Sequence, residues 1–484
     1  MKQRTKTFTY QTRFSLTDDS ALSQYAALFC ALERTLFANL SAKQPINTLK
    51  KKFIAEYGLT ARQFNSIHYS LKGKMASAKE CMKLNIASMK EKIPHLEKKI
   101  KLNKKLTPSA LFQKKRSLEL IKNKLKKLED NAAQNKIALC FGSRKLFNEQ
   151  FHLENKTHSE WKLEWTQARN NQFLSVGSKD ETAGNQSCAL FKKDDKLQLR
   201  LRLPHCLEST YGKYLIIDHL EFDYGKEEII KELTAINQKA MTYRFLKDKK
   251  GWRVFVSLEQ EAKAQISKKA RGAIGVDINI DHLATAMMDH CGNKIGAKRI
   301  PLHLYGKNQD QAKAIIGDTV KSVIELAKEK QVPVVIEDLN FTKKKQFLKE
   351  QHPKYARMLS SFSYSKIIEN FKSKAFKEGI EVIFVSPAYT SMIGSIKYKK
   401  SYGLSTHASA AFCIGRRGLG YFEKLPLGKS IQVPTNEGPY LQLPLPVRNE
   451  PVDHYGILKE VFKSYKAVHE AHIRATKFRS LNFK

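Results

Sequence analysis

The run QVPVVIEDL (331–339) constrains this chain more than any other segment. A near-continuous apolar stretch without alternation leaves no wet face, so it predicts a central strand buried on both sides. Its surroundings are of the same kind. AIGVDIN (273–279) reads as a first strand, HLATAMMD (282–289) as a second and KIGAKRIPL (294–302) as a third, with HCGN as the turn between the last two. A helix is predicted over about 309–330, with Ala312, Ile315, Ile316, Val320, Val323, Ile324 and Ala327 as its apolar stripe. After the buried strand come a helix over about Pro353–Glu378, a strand in IEVIFVSPA, and a helix in LSTHASAAFCIGRRGLG. Ser405 is the N-cap of that last helix, which closes at Gly418 or Gly420.

The resulting order, β-β-β-α-β-α-β-α, is that of an RNase H-like (RuvC) domain. A doubly wound nucleotide-binding fold would open βαβ with a glycine fingerprint after the first strand, and GVDINIDHL has none. Residues 4–16 alternate as a half-buried strand, a helix follows from about Ser20 to Asn39, and 59–161 reads as long helices broken at Pro94 and Pro108. From Phe173 to Leu258 the period is two, giving a small antiparallel barrel or sandwich, with turns at KKDDK (192–196) and KDKKG (247–251). The fold class is therefore α/β plus β. The expected parts are 1–18, the first strand of the β domain; 19–165, a helical insertion; 166–268, the rest of the β domain; 269–420, the RNase H-like domain; and 421–484. That tail holds six prolines between Tyr421 and Val452, expected as a long ordered loop, and a basic amphipathic helix from Tyr455 to about Lys477.

With 86 Lys and Arg against 47 Asp and Glu, the 484 residues carry a formal charge of +39. Such an excess points to a polyanionic partner, above all nucleic acid. No apolar run reaches bilayer length, and MKQRTKTFTYQTRFSL lacks the apolar core of a signal peptide, so no membrane role and a cytoplasmic location are expected. The seven cysteines have no Cys-x-x-Cys spacing, so neither a disulfide framework nor a zinc ribbon is read, and buried reduced thiols are expected.

Phosphodiester cleavage by metal ions needs clustered carboxylates. Asp277 lies inside the first strand among Ile274, Val276 and Ile278, while Glu337 and Asp338 stand at the exit of VPVVI. A carboxylate within such a run is costly without a metal or a partner. The last helix has no acid between Lys397 and Tyr421, which leaves His407 in its first turn as a metal ligand, an acid or base, or a hydrogen-bonded structural residue. Candidate nucleic-acid contacts are Lys98, Lys99, Lys104, Lys105, Lys114, Lys115 and Arg116 in the basic 91–130 segment, Lys399 and Lys400 in YKKSY, and Arg416 and Arg417. Each has the alternative of a merely solvated basic face. Trp161, Trp165 and Trp252 are expected in cores or hairpins.

GVDIN, VVIEDLNF, VSPAYTSMIG and THASAAFCIGRRG resemble the serial motifs of TnpB-type proteins, the OrfB proteins of insertion sequences and relatives of type V CRISPR effectors. The resemblance runs along nearly the whole chain. It implies wedge-like and recognition-like domains, and an RNA-guided DNA endonuclease with a Mg²⁺ (or Mn²⁺) RuvC site. It also implies guide RNA and target DNA as partners, as a monomer or homodimer, in the bacterial cytosol or nucleoid. Asp277 matches the first carboxylate and Glu337 the second. His407, in HASAA, stands where the family has its third Asp. The family's four-cysteine finger is missing between the last strand and helix, so no zinc is expected. These departures keep two other readings open: a nuclease-deficient guided DNA-binding protein acting as repressor or recruitment factor, and an unguided transposon-associated DNA-binding protein or structure-selective nuclease.

Overall fold

The computed structural model describes residues 5–102, 107–153, 156–181, 184–193, 196–235, 239–339, 364–423, 430–433, 441–444 and 458–463. The chain divides into one unit over Thr5–Gln260 and another from Glu261 onward. The division falls eight residues before the expected boundary at 268. Among the described residues the strands form four sheets in a mixed α/β architecture.

The first unit contains β1 (Thr5–Phe14), α1 (Ser20–Ser41), α2 (Ile46–Tyr57), α3 (Ala61–Leu102), α4 (Pro108–Ala133), α5 (Arg144–Glu149) and α6 (His158–Arg169). It continues with β2 (Gln172–Ser175), β3 (Cys188–Lys193), β4 (Lys196–Arg202), α7 (His205–Tyr211), β5 (Tyr214–Leu220), α8 (Lys226–Leu233), β6 (Thr242–Asp248) and β7 (Gly251–Glu261). Strand β1 joins β7, β6 and β2 in one four-stranded sheet, although about 160 residues separate β1 from β2 in sequence. Its alternation buries Phe8 and Tyr10. Strands β3, β4 and β5 form a separate antiparallel sheet, so among the described residues this region holds two open sheets and no closed barrel.

The break expected at Pro94 does not occur, and α3 runs through it. Past Leu71 this helix buries nothing, so a local bend there disturbs no core. Pairs on both sides of Pro94 tie it to α4, Lys90–Glu129 and Lys122–Glu97, each at 2.7 Å. Pro108 does mark a boundary. It occupies the first turn of α4 behind Thr107, whose hydroxyl accepts from the Ala110 amide at 3.3 Å. Trp161 and Trp252 are buried, and their indole N–H groups donate to the Leu146 carbonyl and to Asp19.

The second unit builds one five-stranded sheet in the order β10-β9-β8-β11-β12. Its strands are β8 (Ala273–Ile278), β9 (His282–Met288), β10 (Lys294–Pro301), β11 (Val334–Glu337) and β12 (Val382–Val385). The β10–β9 and β9–β8 pairs are antiparallel, and β8–β11 and β11–β12 are parallel. Helices α9 (Gln309–Lys330) and α10 (Tyr364–Glu378) cover one face, packing Ile316, Val320, Val323 and Phe371 on Ile274, Val276, Val334 and Ile336. Residues 353–363 of the expected helix lie outside the described residues. The opposite face receives α11 (Thr390–Lys397) and α12 (Thr406–Gly418), whose Met392, Ile393, Ala411, Phe412 and Ile414 join Ala273, Val335 and Val385. The short helix α11 was not expected. Its eight residues are too few for a legible period, yet Met392 and Ile393 are buried.

At Gly275, helix α12 lies directly on the backbone of β8. A Cβ on Gly275 would fall within 3 Å of the Gly415 backbone and overlap the Ala411 carbonyl oxygen. This contact fixes the height of α12 over the sheet. Where a loop was expected after Tyr421, Ser430–Val433 (β13) and Leu441–Pro444 (β14) pair as an antiparallel hairpin. The prolines had hidden it, and Pro444 sits at the strand end, where its missing N–H costs least. Residues 458–463 are helical and bury Leu458 and Val461 beside α12. Of the seven cysteines, Cys30, Cys188 and Cys413 are buried, while Cys81, Cys140, Cys206 and Cys291 are exposed, against the expectation of buried thiols throughout.

Candidate active site

Strand alternation decides where the two acids point. On β8, Ile274 and Val276 face α9 and α10, so Ala273, Gly275 and Asp277 face α12. On β11, Val334 and Ile336 face α9 and α10, so Val335 and Glu337 face α12. The parallel register sets Val335 beside Gly275 and Ile336 beside Val276, and there the pairing ends, with Glu337 and Asp277 as the next residue of each strand. Neighbouring parallel strands lie about 5 Å apart. The two carboxylates therefore rise from adjacent strand ends on one face. Asp338, one residue on, turns away and continues the β12 ladder through its amide to the Val385 carbonyl at 2.9 Å.

Helix α12 brings the third residue. The Ser405 hydroxyl caps it by accepting from the Ala408 amide at 3.2 Å, which places His407 in its first turn. There His407 Nδ1 is 3.1 Å from Asp277 Oδ2. That bond holds the imidazole pKa above its ordinary value of 6.5, against the opposing effect of burial. Asp277 is only 13% exposed, and the same oxygen accepts from Asn279 Nδ2 at 3.0 Å. Glu337 accepts from the Thr390 hydroxyl at the start of α11, while its backbone carbonyl accepts from Tyr364 OH at 2.5 Å. Burial pushes the Tyr364 phenol up to about 12, so it remains a donor at any neutral pH.

Asp277, Glu337 and His407 thus share one face at one end of the sheet. Among the described residues no group of three His, Cys, Asp or Glu side chains is gathered tightly enough to hold a metal ion. The donors at hand are two hard carboxylates on adjacent strands and an imidazole already bonded to one of them. Asp277 and Glu337 would be the residues to hold a hard divalent ion there.

The remaining candidates fall into three groups. Lys98, Lys115, Arg116 and Lys400 are exposed, and Lys99, Lys114 and Lys399 half-buried. Lys104 and Lys105 lie outside the described residues. Arg416 and Arg417 are engaged internally: Arg416 Nε donates to Glu423 at 2.6 Å, and Arg417 to the Ser386 and Ala388 carbonyls. In YKKSY, Tyr398 and Tyr402 pack edge-on against Phe412. The buried Glu423 collects Lys397, Arg416 and Tyr398. Burial alone would raise its pKa, but these three donors hold it below 4.5.

No protein-family profile matches this chain, and no curated protein does. Among solved structures it is similar to T. thermophilus RuvC in complex with Holliday junction substrate, at 16% identity over 30% of this chain and 89% of that one, TM-score 0.22. A Cas12f1–sgRNA–target DNA complex matches at 14% identity over 70% of this chain and 93% of that one, TM-score 0.22. A Cas12i–crRNA–dsDNA complex in the I1 state matches at 10% identity, TM-score 0.24, with 76% of this chain spanning 61% of that one. Likeness this faint assigns no role to any residue, and the site stands on its own geometry. No described helix is long and apolar enough to cross a membrane.

Asn279, Asp281, His282, Thr390, Tyr364 and Glu423 were not singled out in the sequence. For the first three a signal existed. D-I-N-I-D-H spaces Asp277 and Asn279 two apart, on one face of a strand that ends in a tight turn.

Proposed function

We propose that the unit from Glu261 onward is a RuvC/RNase H-like nuclease centre, and that the whole chain is an RNA-guided DNA endonuclease of TnpB-like, transposon-derived type. The observation that carries this reading is the placement of Asp277 and Glu337 just past the last paired residues of adjacent parallel strands, with His407 bonded to Asp277. The charge of +39 and the motif resemblance support the choice of nucleic acid.

Asp277 and Glu337 would hold the divalent ion, with His407 beside them. Such an ion polarises phosphoryl oxygens and lowers the pKa of a bound water. Thr390 and Tyr364 fix the Glu337 side chain and backbone, so the carboxylate is aimed before a substrate arrives. As an imidazolium, His407 neutralises Asp277 and can give a proton to a departing oxygen. Exposed lysines of α3 and α4 offer phosphate contacts, while base pairing to a guide would supply sequence choice.

A second reading, guided binding without cleavage, has one observation in its favour. Asp277 Oδ2 already accepts from both Asn279 and His407, so an ion must compete with those bonds. The test is to purify the chain with its bound RNA, sequence that RNA, and offer a matched duplex DNA with Mg²⁺ or Mn²⁺. Cleavage by the wild type that is lost in Asp277→Ala and Glu337→Ala is expected. A defined RNA with guided binding but no cleavage selects the second reading, and absence of any defined RNA overturns the guided one.

A further inference from the structure

The β8–β9 turn holds a chain of bonds that ends on Asp277. Arg299 Nη2 donates to Asp281 Oδ2 at 2.7 Å, and Asp281 Oδ1 lies 2.7 Å from His282 Nδ1. His282 is 5% exposed, so its ring nitrogens depend on protein partners. A carboxylate can only accept, so the proton of a neutral His282 sits on Nδ1 and its Nε2 presents a lone pair. The group facing that lone pair is Asn279 Nδ2, at 3.5 Å. An amide nitrogen has two hydrogens, and Asn279 Nδ2 directs the other to Asp277 Oδ2 at 3.0 Å, with the Asp277 backbone carbonyl at 3.4 Å as a further acceptor. This dictates the orientation of the amide: only the NH₂ end satisfies both an acceptor imidazole and an acceptor carboxylate. The His282 ring also meets the His407 ring edge to face at 5.0 Å.

We propose that Asn279 and His282 are positioning residues for the catalytic centre, with the Asp281-fixed tautomer of His282 clamping the Asn279 amide so that its second N–H aims the Asp277 carboxylate. This rests on the nuclease reading for its consequence in rate, but the clamp itself is a statement about protons and geometry. The competing role is simple turn stabilisation, since the Asn279 amide already donates to the His282 carbonyl at 2.9 Å through the backbone. A turn role would shift thermal stability and leave the chemistry of Asp277 unchanged.

Two measurements separate these. In ¹⁵N-imidazole spectra of the full chain, the His282 proton is expected on Nδ1 with Nε2 bare, and Asp281→Asn is expected to disturb that tautomer. A proton on Nε2 overturns the proposal whether or not the protein cuts anything. In the cleavage assay with bound RNA and matched duplex, His282→Leu is expected to lower kcat roughly 10- to 100-fold, the usual cost of losing a residue that supports a metal ligand. His282→Gln, whose carbonyl oxygen reaches the place of Nε2, is expected to recover most of that loss, and Asn279→Asp to be as poor as His282→Leu. Melting temperatures identify any variant that merely fails to fold. If His282→Leu folds and cuts as the wild type does, the positioning role is overturned. If no variant and no wild type cuts, the nuclease reading fails and the tautomer spectrum alone decides the clamp.

Discussion

At the scale of single residues, the site is organised by one oxygen. Asp277 Oδ2 receives His407 and Asn279 together, and the first of these raises the histidine pKa above 6.5. That direction sets the sign of the linked stability. This pairing contributes fully below 6.5 and is lost as pH rises through the folded-state value. An NMR titration of His407 is expected to give a midpoint above 6.5, and Asp277→Asn to bring it down; an unchanged midpoint in that variant would mean the bond is not formed. The strand-end positions of Asp277 and Glu337 were legible in the sequence because an acid at the end of an apolar run breaks its pattern. The bond that selects Nδ1 of His407 was not legible, since it depends on the height of a helix over a strand 130 residues away in sequence.

At the scale of elements, two contacts hold α12 and the segment after it. The first is the glycine contact with β8. Gly275→Ala is expected to cost about 1–3 kcal/mol by overpacking and to displace His407 from Asp277. Chemical denaturation measures the first effect, and the His407 midpoint returning toward 6.5 reports the second. The other contact is Glu423, buried with Lys397 at 2.8 Å and Arg416 at 2.6 Å. Because its pKa is held below 4.5, its stabilisation is present above that value and fades as pH falls through the folded-state value. Glu423→Gln is expected to cost roughly 2–3 kcal/mol by urea melting, below the 3–5 typical of a broken buried pair because Lys397 and Arg416 keep partial access to water. The strands and long helices of this unit followed from periodicity. Helix α11 and the β13–β14 hairpin did not, because eight residues and a proline-rich stretch carry too little pattern to distinguish from loop.

For the whole molecule, charge is the governing quantity. An excess of 39 positive charges makes any complex with nucleic acid sensitive to salt. Neutralising Lys114, Lys115 and Arg116 together with glutamine is expected to reduce the slope of log K against log salt by about 2–3 if all three meet phosphates. An unchanged slope would return those residues to a solvated helix face. The sequence located this charge but not its geometry. It did not foresee that α3 would pass through Pro94 and lie beside α4 with Glu97 and Glu129 used as cross-ties, nor that Arg416 and Arg417 would turn inward.

The bare seam between β8 and α12 has a consequence for anyone rebuilding this molecule. Side-chain layers act as a cushion in which repacking can absorb a shift, and at Gly275 backbone meets backbone with no such cushion. Strand and helix are therefore registered like two machined faces, and the spacing between Asp277 and His407 is inherited from that fit. A transplant carrying β8, β11 and α12 with Gly275 and Gly415 intact should take the centre with it. One that repaired the glycines would carry the same residues to the wrong distance.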